Sequence, residues 1–394
     1  MRLCIVVDTY PRLSETFVQA QAEGLAARGH EVEVLCRESG ASGQHGPIRI
    51  RRWWGLLAAL NGPTERLGFG PRHKVRRALD RMEARYLSGF DVVLAHFGYE
   101  GARVAAVLSR LEKAPPLVTI YHGHDVATVI RNGAMSLYDQ LFRVGALHLP
   151  VNAVFRQMLV DAGAPPERTL VHHMGIASGA FASAPRDWNA RPLRILSVGR
   201  LTEKKGFAVA IAALERLAED YPDLDWRYEI VGTGALQEPL RAQAESSAVA
   251  GRISFLGARP HAEVQRLLAA AHVFLLPSVT AANGDAEGVP VSLMEAMASG
   301  ALTVSTDHSG IPELIEDGVT GFLAPERDIP ALARRLAAAA HGDCPEGITR
   351  AAAEKVRQDF DADHQLLSLE LLLSALPENQ RTGQAAAWDI RYAP

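Results

Sequence analysis

The chain has 394 residues, 48% of them hydrophobic, 22% charged and 6% aromatic, with a formal net charge of −4. That length allows two or three domains with cores of their own, the composition is that of a soluble globular enzyme, and the acidic balance argues against a nucleic-acid-binding protein. No stretch approaches the roughly 18 apolar residues of a membrane span. The scattered cysteines, Cys4, Cys36 and Cys344, form no C-x-x-C pair, which points to a reducing compartment without a disulfide framework or structural zinc. A cytoplasmic location is expected.

Residues 1–8 are too short for a signal peptide and read as a first strand. Short apolar runs then alternate with helical patterns, the signature of parallel sheets built from βαβ units. Strands are expected at 3–7, 31–35, 91–95, 117–121, 146–150 and 169–173, with helices at 15–28, 75–87, 101–111 and 153–162. Residues 179–192, with two prolines and many small residues, read as a linker. The alternation restarts with strands at 193–198, 226–231, 253–256, 273–276 and 302–305. Helices are expected at 206–218, 236–247, 261–270, 290–298, 331–340 and 363–376. Residues 377–394 lack periodicity and read as a loosely docked tail. The expected fold is α/β: two doubly wound, Rossmann-like domains, 1–185 and 190–358, facing a cleft. Ligands of such sheets bind beyond the carboxyl ends of the strands.

Between Arg49 and Arg85 ten Lys and Arg stand against Glu65, Asp80 and Glu83, a local excess of +7. Together with Trp53-Trp54-Gly-Leu-Leu57 this block suits an anionic membrane surface; the alternative is a solvated helix whose aromatics are core.

The segment Glu287-Gly-Val-Pro-Val-Ser-Leu-Met-Glu295 places two carboxylates eight residues apart around the start of a short helix. Pro290 suits its first position and Gly300 the left-handed residue past its end. A helix N-terminus favours a phosphate, so two acceptors beside one suit a ligand with several hydroxyls and a phosphate, such as a nucleotide sugar. Arg200 and Lys205 follow the strand at 193–198 and suit a diphosphate, while Glu203 and Lys204 read as solvated. Tyr121-His-Gly-His-Asp125 ends another strand. Its His-x-His pair, with His172 and His173, is also a candidate metal site, although nothing ties the four together.

These motifs resemble the E-x7-E signature of retaining glycosyltransferases, in particular glycosyltransferase family 4, whose GT-B architecture pairs two Rossmann-like domains. The resemblance spans residues 3 to about 376. It rests also on Ser197-Val-Gly-Arg200-Leu-Thr-Glu-Lys-Lys205-Gly206, Val231-Gly-Thr-Gly234, Phe255-Leu-Gly257, Leu276-Pro-Ser278, Ser309-Gly-Ile-Pro-Glu313 and Gly318-Val-Thr-Gly-Phe322.

The resemblance implies that Arg200 and Lys205 hold the donor diphosphate, that Glu287 binds hydroxyls of the transferred sugar, and that Glu295 binds the ribose. The backbone at Gly288 and Val289 would approach the phosphates and sugar, with Gly257 and Arg259 beside the base. His122, in the H-G-x-D position, would lie against the donor sugar, completing a catalytic set of His122, Glu287, Arg200 and Lys205. Asp125 would orient its loop or an acceptor hydroxyl. Residues 360–376 would cross back onto the N-terminal domain, which binds acceptor.

Asp8-Thr-Tyr-Pro-Arg-Leu-Ser-Glu-Thr-Phe17 replaces the family's glycine-rich first loop and resembles a subgroup associated with exopolysaccharide assembly. There Ser14 or Thr16 would cap the next helix, Thr16 with Gln19 as a capping box; Ser14 and Glu15, with Asp125, would line the acceptor region, Glu15 contacting acceptor or serving as a first-turn acid. Ala177 stands where many relatives carry Asp. The implied activity is transfer, with retention, of a hexose from a nucleoside-diphosphate sugar, UDP ahead of GDP. The acceptor would be a glycan or lipid-linked hydroxyl in surface-polysaccharide biosynthesis, met at the inner membrane face, with no metal or other cofactor. The rival readings are a nucleotide-sugar 2-epimerase on the same fold and a non-catalytic nucleotide-sugar-binding protein.

Overall fold

Strand β1 (Arg2–Thr9) opens the chain, its apolar residues Leu3 to Val7 at most 2% exposed, as a central parallel strand covered on both faces requires. A computed structural model describes residues 1–12, 15–39, 43–52, 72–181, 186–341 and 345–382. They form two units, Met1–His172 with Leu366–Pro394, and His173–Gln365.

In the first unit β1 is followed by α1 (Thr16–Ala27), β2 (Glu31–Glu38), β3 (Gly43–His45), β4 (Ile48–Arg52), α2 (Arg72–Leu87), β5 (Val92–His96) and α3 (Gly98–Leu108). Then come β6 (Leu117–Tyr121), α4 (His124–Arg131), α5 (Asp139–Val144), β7 (Leu147–Pro150) and α6 (Ala153–Asp161). The described strands form one sheet, ordered β3-β4-β2-β1-β5-β6-β7, parallel except for β3 against β4. Residues 169–173, expected as a strand, supply only one bridge, His148 to Thr169. The sequence reading missed β3 and β4. Ile48 and Ile50 of β4 point into the core while Arg49 and Arg51 face out, an alternation masked by the basic count.

The second unit holds β8 (Leu193–Val198), α7 (Phe207–Asp220), β9 (Trp226–Val231), α8 (Gln237–Ser246), β10 (Ile253–Gly257), α9 (His261–Ala270), β11 (Val273–Leu276) and α10 (Val291–Ala298). It continues with β12 (Leu302–Thr306), α11 (Ile311–Leu314), β13 (Phe322–Ala324), α12 (Ile329–His341) and α13 (Pro345–Asp359). Its sheet is parallel and ordered β10-β9-β8-β11-β12-β13. Apolar residues cover both faces: Ile211, Leu214 and Trp226 belong to one cluster, Phe274, Leu293 and Met297 to the other. Helix α13 and strand β13 were also missed. The expected linker lies within this unit, where Ser178 Oγ donates to Asp361 Oδ2 at 2.5 Å.

The last helix, α14 (Ala362–Thr382), runs past its expected end, and from Leu366 onward it belongs to the first unit. It lies so close to α1 that a Cβ on Gly24 would come within 2.3 Å of Leu366 Cδ1. Glu370 accepts from Arg28 Nε at 2.7 Å and pairs with His30 Nε2 at 3.1 Å, which makes His30 a structural residue. The remaining residues of the expected tail, 383–394, lie outside the described ones.

Candidate functional site

In the second unit the loops after β8, β9 and β11 meet at the carboxyl ends of the strands. Their backbones are so close that side chains are excluded at the contacts. A Cβ on Gly206 would stand 1.8 Å from the Pro277 carbonyl oxygen, and one on Gly232 1.8 Å from that of Gly199. Both glycines have φ in the left-handed range, +69° and +138°, which removes any side chain on a second count. The loop of residues 199–206 is then laced to residues 279–287. Val279 N donates to the Lys204 carbonyl at 2.9 Å, Ala282 N to Glu203 Oε2 at 2.9 Å, and Lys204 Nζ to Asp285 Oδ1 at 3.1 Å. Glu203 and Lys204, expected to be solvated, are therefore structural ties between the loops. Their partners lie some 80 residues away, and nothing local in the sequence shows them.

The lacing brings Lys205 Nζ to 3.1 Å from Glu287 Oε1. Glu287 is 6% exposed. Burial pushes its carboxyl up, but Lys205 and Lys204 outweigh that and hold it below the usual carboxylate range. The angles of the Lys205 contact leave Oε1 without an aligned hydrogen bond, and Thr202 Oγ1 and Ser292 Oγ are likewise buried without partners. Buried polar atoms are nearly always satisfied in folded proteins, so each of these atoms has hydrogen-bonding capacity left for a polar ligand. Arg200 is exposed at the end of β8, and its guanidinium makes no ion pair or side-chain hydrogen bond with the described residues.

Helix α10 starts at Val291, one residue later than expected. Pro290 is its N-cap and offers no side-chain cap; Leu293 N donates to the Pro290 carbonyl at 3.0 Å, which leaves the N–H groups of Val291 and Ser292 to meet an anion. Val289, 8% exposed, packs with Leu293 and Met294, so only its backbone is free to meet a ligand. Glu295 lies on the second turn. Burial alone pushes its carboxyl up to about 7. Gly300 has the expected left-handed φ of +78°. Gly257, φ +72°, ends β10 and accepts from Gly232 N at 2.9 Å, while Arg259, in the loop before α9, pairs with Glu263 of that helix at 3.2 Å.

The first unit has its own cluster at strand ends. Asp125 is fully buried, and its oxygens accept from three backbone N–H groups: Gly98 at 2.7 Å, His122 at 3.0 Å and Gly123 at 2.9 Å. Of its two expected roles, this is the orientation of the loop. His122 Nε2 pairs with His96 Nδ1 at 3.0 Å, and the ring sits between Phe17 and Phe97, centroids 4.6 and 4.7 Å away. Burial, then His96 and His172, hold its pKa well below the ordinary range, so the imidazole is neutral. His96, which ends β5, was missed by the sequence reading. His173 belongs to the second unit and pairs with Glu313 at 2.8 Å. Among the described residues no group of three or more His, Cys, Asp or Glu is arranged to hold a metal.

Ser14 lies outside the described residues. Glu15, rather than Thr16, is the N-cap of α1. Its side chain does not cap and accepts instead from Arg12 at 2.8 Å, so the expected capping box does not form.

The two cations differ in what their loss should do to the fold. Arg200→Ala should leave Tm unchanged. Lys205→Ala strips a buried carboxylate of its nearest counter-charge, at a cost of about 3–5 kcal/mol, or roughly 6–12 °C in Tm for a chain of this size. Since protonated Glu287 needs no partner, the deficit should narrow as pH falls from 7 to 5. Scanning calorimetry at both pH values checks this, and equal Tm for the two variants would contradict the buried pair.

Residues 14–178 match the family model described as Glycosyltransferase Family 4, and residues 181–357 that of Glycosyl transferases group 1. The chain is 37% identical over 411 residues to WcaL of Escherichia coli (strain K12), named for colanic acid biosynthesis as a glycosyltransferase, covering 95% of this chain and 100% of that one. It is 41% identical over 273 residues to the amylovoran biosynthesis glycosyltransferase AmsK of Erwinia amylovora, covering 69% of this chain and 67% of that one. The crystal structure of Anabaena Alr3699/HepE in complex with UDP-glucose superposes with a TM-score of 0.72 at 20% identity, covering 95% of this chain and 100% of that one. The chain belongs to the group 1 and family 4 glycosyltransferases and has their GT-B fold.

Proposed function

We propose that this protein transfers a hexose from a UDP-sugar to a hydroxyl of a glycan or lipid-linked acceptor during assembly of a surface polysaccharide. The anomeric configuration is retained, and no metal takes part. The observation that carries the reading is the buried, ionised Glu287, held by lysines with an oxygen still lacking an aligned donor. A sugar hydroxyl supplies that donor. WcaL and AmsK are named for polysaccharide biosynthesis, and HepE was crystallised with UDP and with UDP-glucose. These support the substrate class.

Arg200, Lys205 and the amino end of α10 take the diphosphate. An ammonium has three donors, so Lys205 can contact Glu287 and a phosphate oxygen together. In the transfer step the acceptor hydroxyl forms its bond to the anomeric carbon on the face from which UDP departs. The bond from that carbon to the phosphate oxygen breaks, and the hydroxyl proton passes to the leaving phosphate. The same cations stabilise the charge developing there; loss of one such donor typically costs about 10²–10³ in rate. Neutral His122 is assigned to a hydroxyl of the transferred sugar, and Glu295 to the ribose.

Calorimetry with UDP and turnover of UDP-hexoses in excess EDTA test the assignment. Glu287→Ala should abolish transfer and spare UDP binding, whereas Glu295→Ala should weaken UDP. Ribose hydroxyls donate more strongly to the ionised carboxylate than to the protonated one, so binding lowers the Glu295 pKa from about 7. The affinity advantage of wild type over Glu295→Ala should therefore grow as pH rises to 7 and level off above. Identical behaviour of the two variants would refute the division of roles, and turnover lost in EDTA but restored by Mg²⁺ would refute metal independence.

The acceptor is proposed to be met at the inner face of the cytoplasmic membrane. Among the described residues no helix is long and apolar enough to cross a membrane. Part of the basic block is occupied, since Arg51 Nε donates to Glu33 Oε1 at 2.8 Å and Arg49 lies 3.9 Å from Glu33 Oε2. Trp53 to Leu57 and Arg66 lie outside the described residues. The remaining cations would each contribute about 1 kcal/mol near an anionic leaflet. Flotation with anionic vesicles should recover the protein at low salt and lose it at high salt; equal recovery with neutral vesicles would exclude this surface.

A further inference from the structure

His308 follows β12 and is 1% exposed, too buried to meet a substrate. Its ring nevertheless bonds the backbone of Glu287, the proposed sugar-binding residue. Nε2 accepts the backbone N–H of Glu287 at 3.0 Å, and Nδ1 lies 2.5 Å from Glu326 Oε1. A nitrogen that accepts an N–H carries no proton, so the ring proton sits on Nδ1 and is donated to Glu326. The other Glu326 oxygen accepts Thr280 N at 2.8 Å, and Oε1 also accepts Thr280 Oγ1 at 3.2 Å. On the far side of the residue Ser309 Oγ donates to the Glu287 carbonyl at 2.7 Å, from a backbone held at φ +49°. Both peptide groups of Glu287 are thus fixed by neighbouring side chains from one turn after β12.

We propose that His308, oriented by Glu326, is a positioning residue for Glu287. Lys205 keeps Glu287 ionised, but an ammonium on a flexible stem imposes charge rather than direction. His308 fixes the backbone from which the carboxylate projects, and so fixes the point at which it meets a sugar hydroxyl. The pairing works in one tautomer alone. A proton on Nε2 would set N–H against N–H, which is why a carboxylate behind Nδ1 matters, as in other histidines oriented by an acid. This inference rests on the assignment of Glu287 to the transferred sugar.

The test uses the full-length protein, with UDP release from UDP-glucose and UDP-galactose as turnover and calorimetry with UDP as the binding probe. His308→Ala should lower kcat by about 10- to 100-fold, the usual cost of a small displacement of a reacting or binding group, while the Kd for UDP stays within about twofold. His308→Gln offers an amide oxygen and an N–H at similar spacing and should recover most of the loss. Glu326→Gln keeps the shape but has one acceptor oxygen for two donors; it should lower kcat without weakening UDP. In the Glu287→Ala background His308→Ala should add little, because the two act as one unit. Wild-type kcat in His308→Ala, beside an inactive Glu287→Ala, would overturn the positioning role and leave the assignment of Glu287 standing. Wild-type turnover in Glu287→Ala would overturn the assignment itself. Parallel losses of Tm, UDP affinity and kcat in His308→Ala, with no recovery in His308→Gln, would reduce His308 to a structural residue.

Discussion

A carboxylate with 6% of its surface exposed stays ionised only where cations replace the water it has lost, and the second unit is arranged around that requirement at Glu287. Lys205 and Lys204 belong to the loop after β8, whereas Glu287 belongs to the loop after β11, some 80 residues on. Bringing them together demands that the two loops touch along their backbones. Glycine at 206 makes this possible, since a Cβ there would stand 1.8 Å from the Pro277 carbonyl oxygen, and Gly232 lets the loop after β9 come as close to Gly199. The electrostatics of the site are therefore a consequence of backbone packing at the ends of a parallel sheet. They would not survive a side chain at either contact.

The first unit solves a related problem without lysines. Its buried acid, Asp125, is compensated by three backbone N–H groups rather than by lysines. Burial outweighs those bonds enough to leave its pKa raised. What Asp125 gains for the site is geometry: it ties the turn after β6 to the start of α3, and so places His122 against His96 between two phenylalanines. Burial, then His96 and His172, keep the imidazole neutral, so it can donate or accept a hydrogen bond at a hydroxyl. The strand ends of one unit thus carry fixed charge, and those of the other an uncharged ring.

Much of this was legible in the sequence, because central parallel strands are runs of apolar residues between helical patterns. The strands at 117–121, 193–198, 226–231 and 273–276 appear at their expected bounds. What was missed has a common cause. Strands β3, β4 and β13 lie at sheet edges, where short alternating or three-residue segments carry little pattern, and Ile48 and Ile50 were hidden by the arginines between them. Residues 169–173 are apolar enough for a strand but make one bridge. At the site, Arg200, Lys205, Glu287 and Glu295 stood out because their types and spacing point to phosphates and hydroxyls. Glu203, Lys204, His308 and Glu326 act through partners 18 to 82 residues away. A lysine committed to a distant aspartate looks the same in a sequence as a solvated one.

The two glutamates of the E-x7-E segment share a short helix and yet are pushed in opposite directions. Glu287 lies before the helix, within reach of two lysines, and its pKa is lowered. Glu295 lies one turn inside, where burial meets no counter-charge and raises its pKa to about 7. Environments that separate the pKa values of two like groups also separate what they can do. A carboxylate that is always ionised suits a contact made throughout binding and reaction. One that ionises near neutrality is desolvated at little cost in its protonated form and gains its charge when hydroxyls arrive to share it. The cations that distinguish the two come from the 199–206 loop, so the difference between two carboxyls eight residues apart is decided by a strand end some 80 residues earlier in the chain.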